Sequence, residues 1–166
     1  MLAYRDGDAG AFETLYARHR GALYRFVLRS LKDRAVAEEL FQEAWIRVIE
    51  ARERYAPSAR FKTWLYTIAH NLLVDHWRKK GLALVELNDE HASADNPERQ
   101  VEARQTAARF LQALEALPLA QREAFLLHEE AGLSVPEIAA ATGTNEEAAK
   151  SRLRYATAKL KAVIDE

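Results

Sequence analysis

The sequence predicts an all-α protein of two unequal helical domains joined by a flexible acidic linker. Three observations carry that expectation. Apolar residues recur at helical spacing along nearly all of the 166 positions, and no stretch alternates convincingly as a strand does; LALVEL at 82–87 is too short to count. The segment LNDEHASADNPERQ, residues 87–100, interrupts the pattern with a polar, acidic run poor in core residues. Proline and glycine stand at joints between periodic segments, at Pro57, Pro97, Pro118 and Gly143. The expected division is residues 1–81 for the first domain, 82–96 for the linker and 97–166 for the second domain.

The elements follow in order. Phe12, Leu15, Tyr16, Leu23, Phe26 and Val27 mark a first long helix, with a break expected near Gly21. After a polar turn at 32–34, Leu40, Phe41, Ala44, Trp45, Val48 and Ile49 mark a second. The turn YAPSAR then leads into a third, marked by Phe61, Trp64, Leu65, Ile68, Leu72 and Leu73. The second domain opens on a helix start: Asn96 is placed to cap, Pro97 suits the first helical position and Glu98 complements the helix dipole. Val101, Ala108, Leu111 and Leu114 carry that helix toward Leu117, and Pro118 marks its boundary. Three further helices are expected at about 119–131, 134–142 and 145–164.

Bulk composition excludes several classes. Hydrophobic residues make up 49% and charged residues 30%, enough for a packed core. There is no cysteine, so neither a disulfide framework nor a thiolate metal site is available; a reducing cytoplasm fits. Tyr4, Arg5, Asp6 and Asp8 interrupt any signal-peptide pattern, and no apolar run approaches the roughly 20 residues that span a bilayer. The five histidines, His19, His70, His76, His91 and His128, form no HExxH pattern and no pair at ligand spacing, and no glycine-rich phosphate loop is present. No catalytic residue, cofactor or metal is expected.

Net charge is −1, but its distribution is uneven. Residues 60–80 carry five bases against the single acid Asp75, and residues 150–161 carry five bases and no acid. Residues 86–102 hold six acids and one base; residues 33–53 hold six acids and three bases. Two basic faces separated by acidic segments suit two polyanion contacts and a different partner for the acidic surface. Taken alone, the same blocks also describe ordinary solvated helix faces.

The strongest local signal is SVPEIAAATGTNEEAAKSRLRYATAKL, residues 134–160. Ser134 and Glu137 have the spacing of a capping box, and Pro136 is tolerated in a first turn. Ile138 and Ala139 give a small apolar face against which a second helix packs closely. Gly143 supplies the turn, and Thr144 or Asn145 caps the next helix. That helix sets Leu153, Leu160 and Val163 on one face and Lys150, Ser151, Arg154 and Tyr155 elsewhere, the chemistry that meets phosphates and base edges in a major groove. A helical hairpin with a basic solvent face is the plain alternative. Glu146 and Glu147 weigh toward it, because carboxylates near DNA are repelled unless they meet cytosine amino groups.

The second signal is RFKTWLYTIAHNLLVDHWRKK, residues 60–80, where aromatic rings and bases share one helix. Trp64, Ile68 and Leu72, with Leu65 and Ala69 beside them, form a core stripe. Lys62, Thr63, Tyr66, Thr67, His70, Asn71, Val74, Arg78 and Lys79 fall largely outside it. A polar edge of this kind suits single-stranded DNA, with cations on phosphates and pockets for unstacked bases. A core helix with a solvated basic side fits these residues equally well.

Three blocks, AEELFQEAWIRVIEARERY, FKTWLYTIAHNLLVDHWRKK and LPLAQREAFLLHEEAGLSVPEIAAATGTNEEAAKSRLRYATAKL, resemble bacterial RNA polymerase sigma factors of the extracytoplasmic-function (ECF) group. The resemblance covers nearly the whole chain, in the right order and with an acidic linker between. It implies sigma domain 2, an interval and a helix-turn-helix sigma domain 4. In EELFQEAW and the residue that follows shortly after, Leu40, Gln42, Glu43 and Arg47 would dock on the β′ clamp helices of core polymerase. In the next block Phe61, Lys62 and Thr63 would lie in or beside the loop that cups a flipped −10 base. Asn71 would contact the unpaired strand, and Arg78, Lys79 and Lys80 would hold phosphates. In the third, Lys150, Ser151, Arg154 and Tyr155 would face the −35 element and Arg152 would meet the backbone. The implied partners are core RNA polymerase (β′ clamp helices and β flap), promoter DNA and an anti-sigma factor, with no membrane insertion. One departure stands out: the family often has Gly-Thr-Val before Lys-Ser-Arg, where this chain has Glu147, Ala148 and Ala149, which puts the −35 preference in question. Two rival classes are a stand-alone operator-binding regulator and a helical protein-binding adaptor. Transcription by core enzyme discriminates the sigma reading from both.

Overall fold

The computed structural model describes residues 1–81 and 99–165, with side chains in the second stretch described from residue 104 onward. The proposed linker at 82–96 and the helix start at Asn96, Pro97 and Glu98 lie outside the described residues. Among the described residues there are eight helices and no strand. They are α1 (Leu2–Arg5), α2 (Ala9–Ser30), α3 (Arg34–Glu50), α4 (Phe61–Lys79), α5 (Arg99–Ala116), α6 (Leu119–Glu129), α7 (Val135–Thr142) and α8 (Glu146–Ile164).

Local chemistry accounts for most boundaries. Asp8 and Asp33 cap α2 and α3, their carboxylates accepting from Ala11 N at 3.3 Å and from Ala35 N at 2.9 Å. His76, Arg78 and Lys79 in the last turn of α4 complement its dipole. The capping box of α7 is present: Glu137 N–H donates to Ser134 Oγ at 3.3 Å, and Ser134 N–H donates to Glu137 Oε2 at 2.8 Å. Gly143 ends α7 at φ +65°, a left-handed conformation that suits glycine. Asn145, rather than Thr144, caps α8, its side-chain oxygen accepting from Ala148 N at 2.8 Å.

Two features differ from the expectation. The first long helix does not break at Gly21: α2 is continuous over 22 residues. Leu15 lies before the glycine and Leu23, Phe26 and Val27 after it, all buried, so packing on both sides offsets the roughly 1 kcal/mol helix penalty of glycine. The short α1 also goes beyond the sequence reading. It brings Tyr4 against Phe12, with ring centroids 5.2 Å apart, and Arg52 Nε donates to the Tyr4 carbonyl at 2.7 Å. Phe12 and Tyr16 continue this aromatic cluster onto Trp45 of α3, at 6.0 and 5.1 Å.

The apolar core runs without interruption through both halves of the chain. Leu23, Phe26, Trp45, Leu65, Leu73 and Trp77 of α2–α4 belong to one cluster with Leu114, Leu126, Leu127, Ile138 and Leu160 of α5–α8. The joint is made by α2 against α6 and by α4 against α7. The buried face of α4 differs from the expected stripe. Thr63, Tyr66 and Val74, read as lying outside the core stripe, are 4%, 1% and 8% exposed, whereas Trp64 and Ile68 of that stripe are only half-buried. The helix is covered on more than one side, because the second half of the chain packs where an isolated domain would meet water. The Tyr66 ring packs edge-on against Phe26 at 5.3 Å, and burial pushes its phenol well above the usual tyrosine range.

Candidate nucleic-acid interface

The second half presents a helix-turn-helix. Helix α8 lies against α7, α6 and α5 through Ala149, Ala156 and Leu160, all buried, with Leu153 half-buried beside them. The alanines bring α8 close to its neighbours. Lys150, Arg154 and Tyr155 point outward and are exposed; Ser151 and Arg152 are half-buried. The Arg154 guanidinium stands over the Tyr155 ring at 5.2 Å, a cation–π contact that pre-orders two groups on the exposed face. Glu146 and Glu147 are exposed in the first turn, where carboxylates favour the helix dipole.

In the first half, the C-terminal part of α4 presents Asn71, Arg78, Lys79 and Lys80 to solvent. Asn71 and Arg78 are two helical turns apart and share a face. The N-terminal part differs. Phe61 and Lys62 are half-buried and Thr63 is buried. The Phe61 ring packs between His19, at 5.1 Å, and Trp64, at 5.8 Å. Burial, followed by the nearby Arg18 and Lys62 charges, holds the His19 pKa below its ordinary value. On α3, Gln42 is exposed, Leu40 half-buried, and Glu43 and Arg47 pair at 3.3 Å one turn apart. Ile46 and Ile49 are both 46% exposed beside them. Ile49, which its spacing places with the apolar face of this helix, is exposed and extends an apolar strip across the surface holding Gln42 and Glu43.

A third set of contacts carries no signal in the sequence. Glu130 Oε2 accepts from Arg25 at 2.8 Å, and the other oxygen of the same carboxylate pairs with Arg29. The His70 Nδ1–H donates to Glu123 Oε1 at 2.6 Å, and Arg60 donates to Glu137 at 3.1 Å. The hydrogen bond from the Ser134 backbone N–H, aided by Arg60, holds the Glu137 carboxyl below its ordinary pKa. Arg122, only 6% exposed, donates to the carbonyls of Ser30, Leu117 and Glu115. Burial lowers its pKa, and Glu115 opposes that shift. These partners lie up to 105 positions apart, and no periodicity or motif could have paired them. Among the described residues no group of three acidic, histidine or cysteine side chains is placed to hold a metal, and no helix is long and apolar enough to cross a membrane.

A helix-turn-helix with a basic outward face, packed on a helical bundle with its own basic helix end, defines a two-part DNA-binding protein. Comparison with known proteins gives the family. The Sigma-70 region 2 family model matches residues 15–82, and the Sigma-70, region 4 model matches residues 107–160. RNA polymerase sigma factor CarQ of Myxococcus xanthus is 35% identical over 170 residues, covering 100% of this chain and 96% of CarQ. RNA polymerase sigma factor NccH of Alcaligenes xylosoxydans xylosoxydans is 32% identical, covering 96% of this chain and 89% of NccH. The solved structure of CnrH in complex with the cytosolic domain of CnrY superposes with a TM-score of 0.72 at 28% identity, covering 99% of this chain and 95% of that one. The chain belongs to the ECF group of RNA polymerase sigma factors, and its function is promoter-directed initiation of transcription.

Proposed function

We propose that the chain divides promoter recognition between two modules acting with core polymerase in the cytoplasm. Residues 1–81 dock on core enzyme and hold the unpaired −10 strand, and residues 97–166 read the −35 duplex. The observation that carries this reading is the exposure of two separate basic surfaces, Asn71 with Arg78–Lys80 and Lys150 with Arg154, in a chain matched by both sigma regions. Docking falls to Leu40, Gln42, Glu43 and Arg47, with the exposed Ile46 and Ile49 adding apolar area to the same face. Extruding a base costs a few kcal/mol, which a fitting pocket near Phe61, Lys62 and Thr63 would offset only for the right base. That makes strand opening sequence-selective without ATP. Regulation by an anti-sigma factor is part of this reading, because the similar CnrH was solved bound to a cytosolic domain of another protein.

The test is run-off transcription with purified core polymerase and a promoter library. Discrete transcripts dependent on this chain are expected. Failure to bind core enzyme, or to start RNA at any promoter, would reject the proposal. The Asn71→Ala variant should weaken open-complex formation about five- to tenfold, a hydrogen bond to a strand of roughly 1–1.5 kcal/mol, while leaving duplex binding unchanged. Equal losses in permanganate footprinting and in duplex binding would remove the single-strand role.

A further inference from the structure

The end of α4, the turn between α2 and α3 and the turn between α5 and α6 line a cavity of about 440 Å³, a volume in the range of small-molecule sites. Its wall is rich in nitrogen. Lys32, His76, Lys80 and Arg122 stand against the carboxylates of Asp33 and Glu115. The Asp33 carboxylate is already engaged as the cap of α3, accepting from Ala35 N–H at 2.9 Å and Val36 N–H at 3.3 Å. Glu115 approaches Lys32 only to 3.9 Å, longer than a hydrogen bond.

Two independent features leave donors at this cavity with no acceptor. The first is the start of α6, where Pro118 and Leu119 belong to the wall and no side chain caps the helix. Gln121 and Arg122 N–H turn back to the Pro118 carbonyl, at 3.0 and 2.9 Å, so the N–H groups of Leu119 and Ala120 have no partner among the described residues. An uncapped N-terminus carries partial positive charge and aims donors at whatever lies beyond it, which suits an anion. The second is the Arg122 side chain, only 6% exposed. Its terminal nitrogens donate to the carbonyls of Ser30, Glu115 and Leu117, but its Nε–H is buried without a partner among the described residues. A buried charged donor left unmade is costly, and an oxyanion removes that cost. The same three bonds also occupy carbonyls at the ends of α2 and α5 that would otherwise repel an anion.

We propose that this cavity binds the phosphate group of a small organic ester of mononucleotide size. The phosphate sits at the start of α6 beside Arg122 Nε, and Lys32 and Lys80, both exposed, add charge at the rim. Phosphate fits better than a carboxylate because its oxygens serve donors from three sources: a helix end, a guanidinium and the ammonium groups. A bound phosphate also draws Lys32 away from its long contact with Glu115. The rest of the wall is apolar, with Leu31, Trp77, Leu117 and Leu119, and a phosphate fills only part of the volume. The organic part of the ester lies on those side chains.

The inference does not depend on the strand-binding role of α4, and Lys80, assigned to that role, is left unchanged in the test. Inorganic phosphate and adenosine 5′-monophosphate are titrated into the full chain at constant pH, with adenosine as the control. The readout is the ring C–H NMR signal of His76 in the cavity wall, assigned by its loss in His76→Gln; His128, in the last turn of α6, is the reference. Both phosphate-bearing probes should shift His76 saturably and leave His128 in place, and adenosine should do neither. Lys32→Glu, at an exposed position outside the residues assigned to DNA or polymerase, should weaken binding about fivefold or more. Pro118→Asp gives α6 a carboxylate cap of its own and should abolish binding while raising the Tm of the free chain. Where that variant fails to fold, Lys32→Glu decides. Tighter binding of the monophosphate than of inorganic phosphate supports the ester, and equal affinity overturns the ester in favour of the free ion. No saturable shift at His76, equal shifts at His76 and His128, or unchanged affinity in Lys32→Glu overturns the site.

Discussion

Arg122→Ala is expected to destabilise the protein by about 2–4 kcal/mol, read as a lower midpoint in urea and a lower Tm. The guanidinium is 6% exposed and donates to the carbonyls of Ser30, Leu117 and Glu115. All three lie at or just past helix ends, where carbonyls lack helical partners: Ser30 closes α2, Glu115 is in the last turn of α5, and Leu117 stands in the turn between α5 and α6. One side chain therefore ties the end of α2 to the turn that starts α6, across the joint between the two halves. Alanine removes the charge and leaves three carbonyls to be satisfied by water. A cavity of about 440 Å³, lined by Lys32, His76, Trp77, Lys80, Glu115 and Arg122 among others, admits that water, which keeps the cost below that of a sealed site. Arg122→Lys should recover only part of the loss, because a single ammonium does not reach three acceptors in the plane of a fork. A stability change under about 0.5 kcal/mol for Arg122→Ala would show that the arginine is not holding the joint.

The second large effect is on DNA. Arg154→Ala should reduce −35-dependent initiation by roughly five- to 150-fold, the 1–3 kcal/mol carried by one good base contact, with core binding unchanged. Arg154 is exposed on α8, braced by the Tyr155 ring at 5.2 Å, and supports none of the buried contacts of the helix, which are made by Ala149, Ala156 and Leu160. Loss of function without loss of stability is therefore expected. Lys150→Ala, by contrast, should weaken binding uniformly across promoter sequences and flatten its salt dependence by about one charge. The measurement is run-off transcription on paired templates with and without the −35 element. An unchanged requirement for that element in the Arg154 variant would reject the assignment.

Helix existence was legible because it is a local property. The capping pair Ser134 and Glu137, the turn at Gly143 and the spacing of Leu153 and Leu160 act within one or two turns, and each appears where its chemistry implies. Gly21 shows the limit of that reasoning. Its propensity argues for a break, and the buried residues on either side of it override the propensity. The face of α4 was harder still. Periodicity orders residues around a helix, but it does not say how many sides of that helix are covered. Thr63, Tyr66 and Val74 fall outside the stripe that periodicity picks, yet all three are buried, Tyr66 edge-on against Phe26 of α2.

By itself, the sequence determined that this protein is helical, that it carries a helix-turn-helix with a basic outward face, and that it resembles a sigma factor, because those signals reside in short spacings and in charge along single helices. Only the tertiary structure decided that one apolar core joins the two halves and that Glu123, Glu130 and Glu137 seat against His70, Arg25, Arg29 and Arg60. The physical reason is distance along the chain. Partners separated by 53 to 105 positions meet through the packing of α6 and α7 on α2 and α4, and nothing in the spacing of either partner encodes that docking.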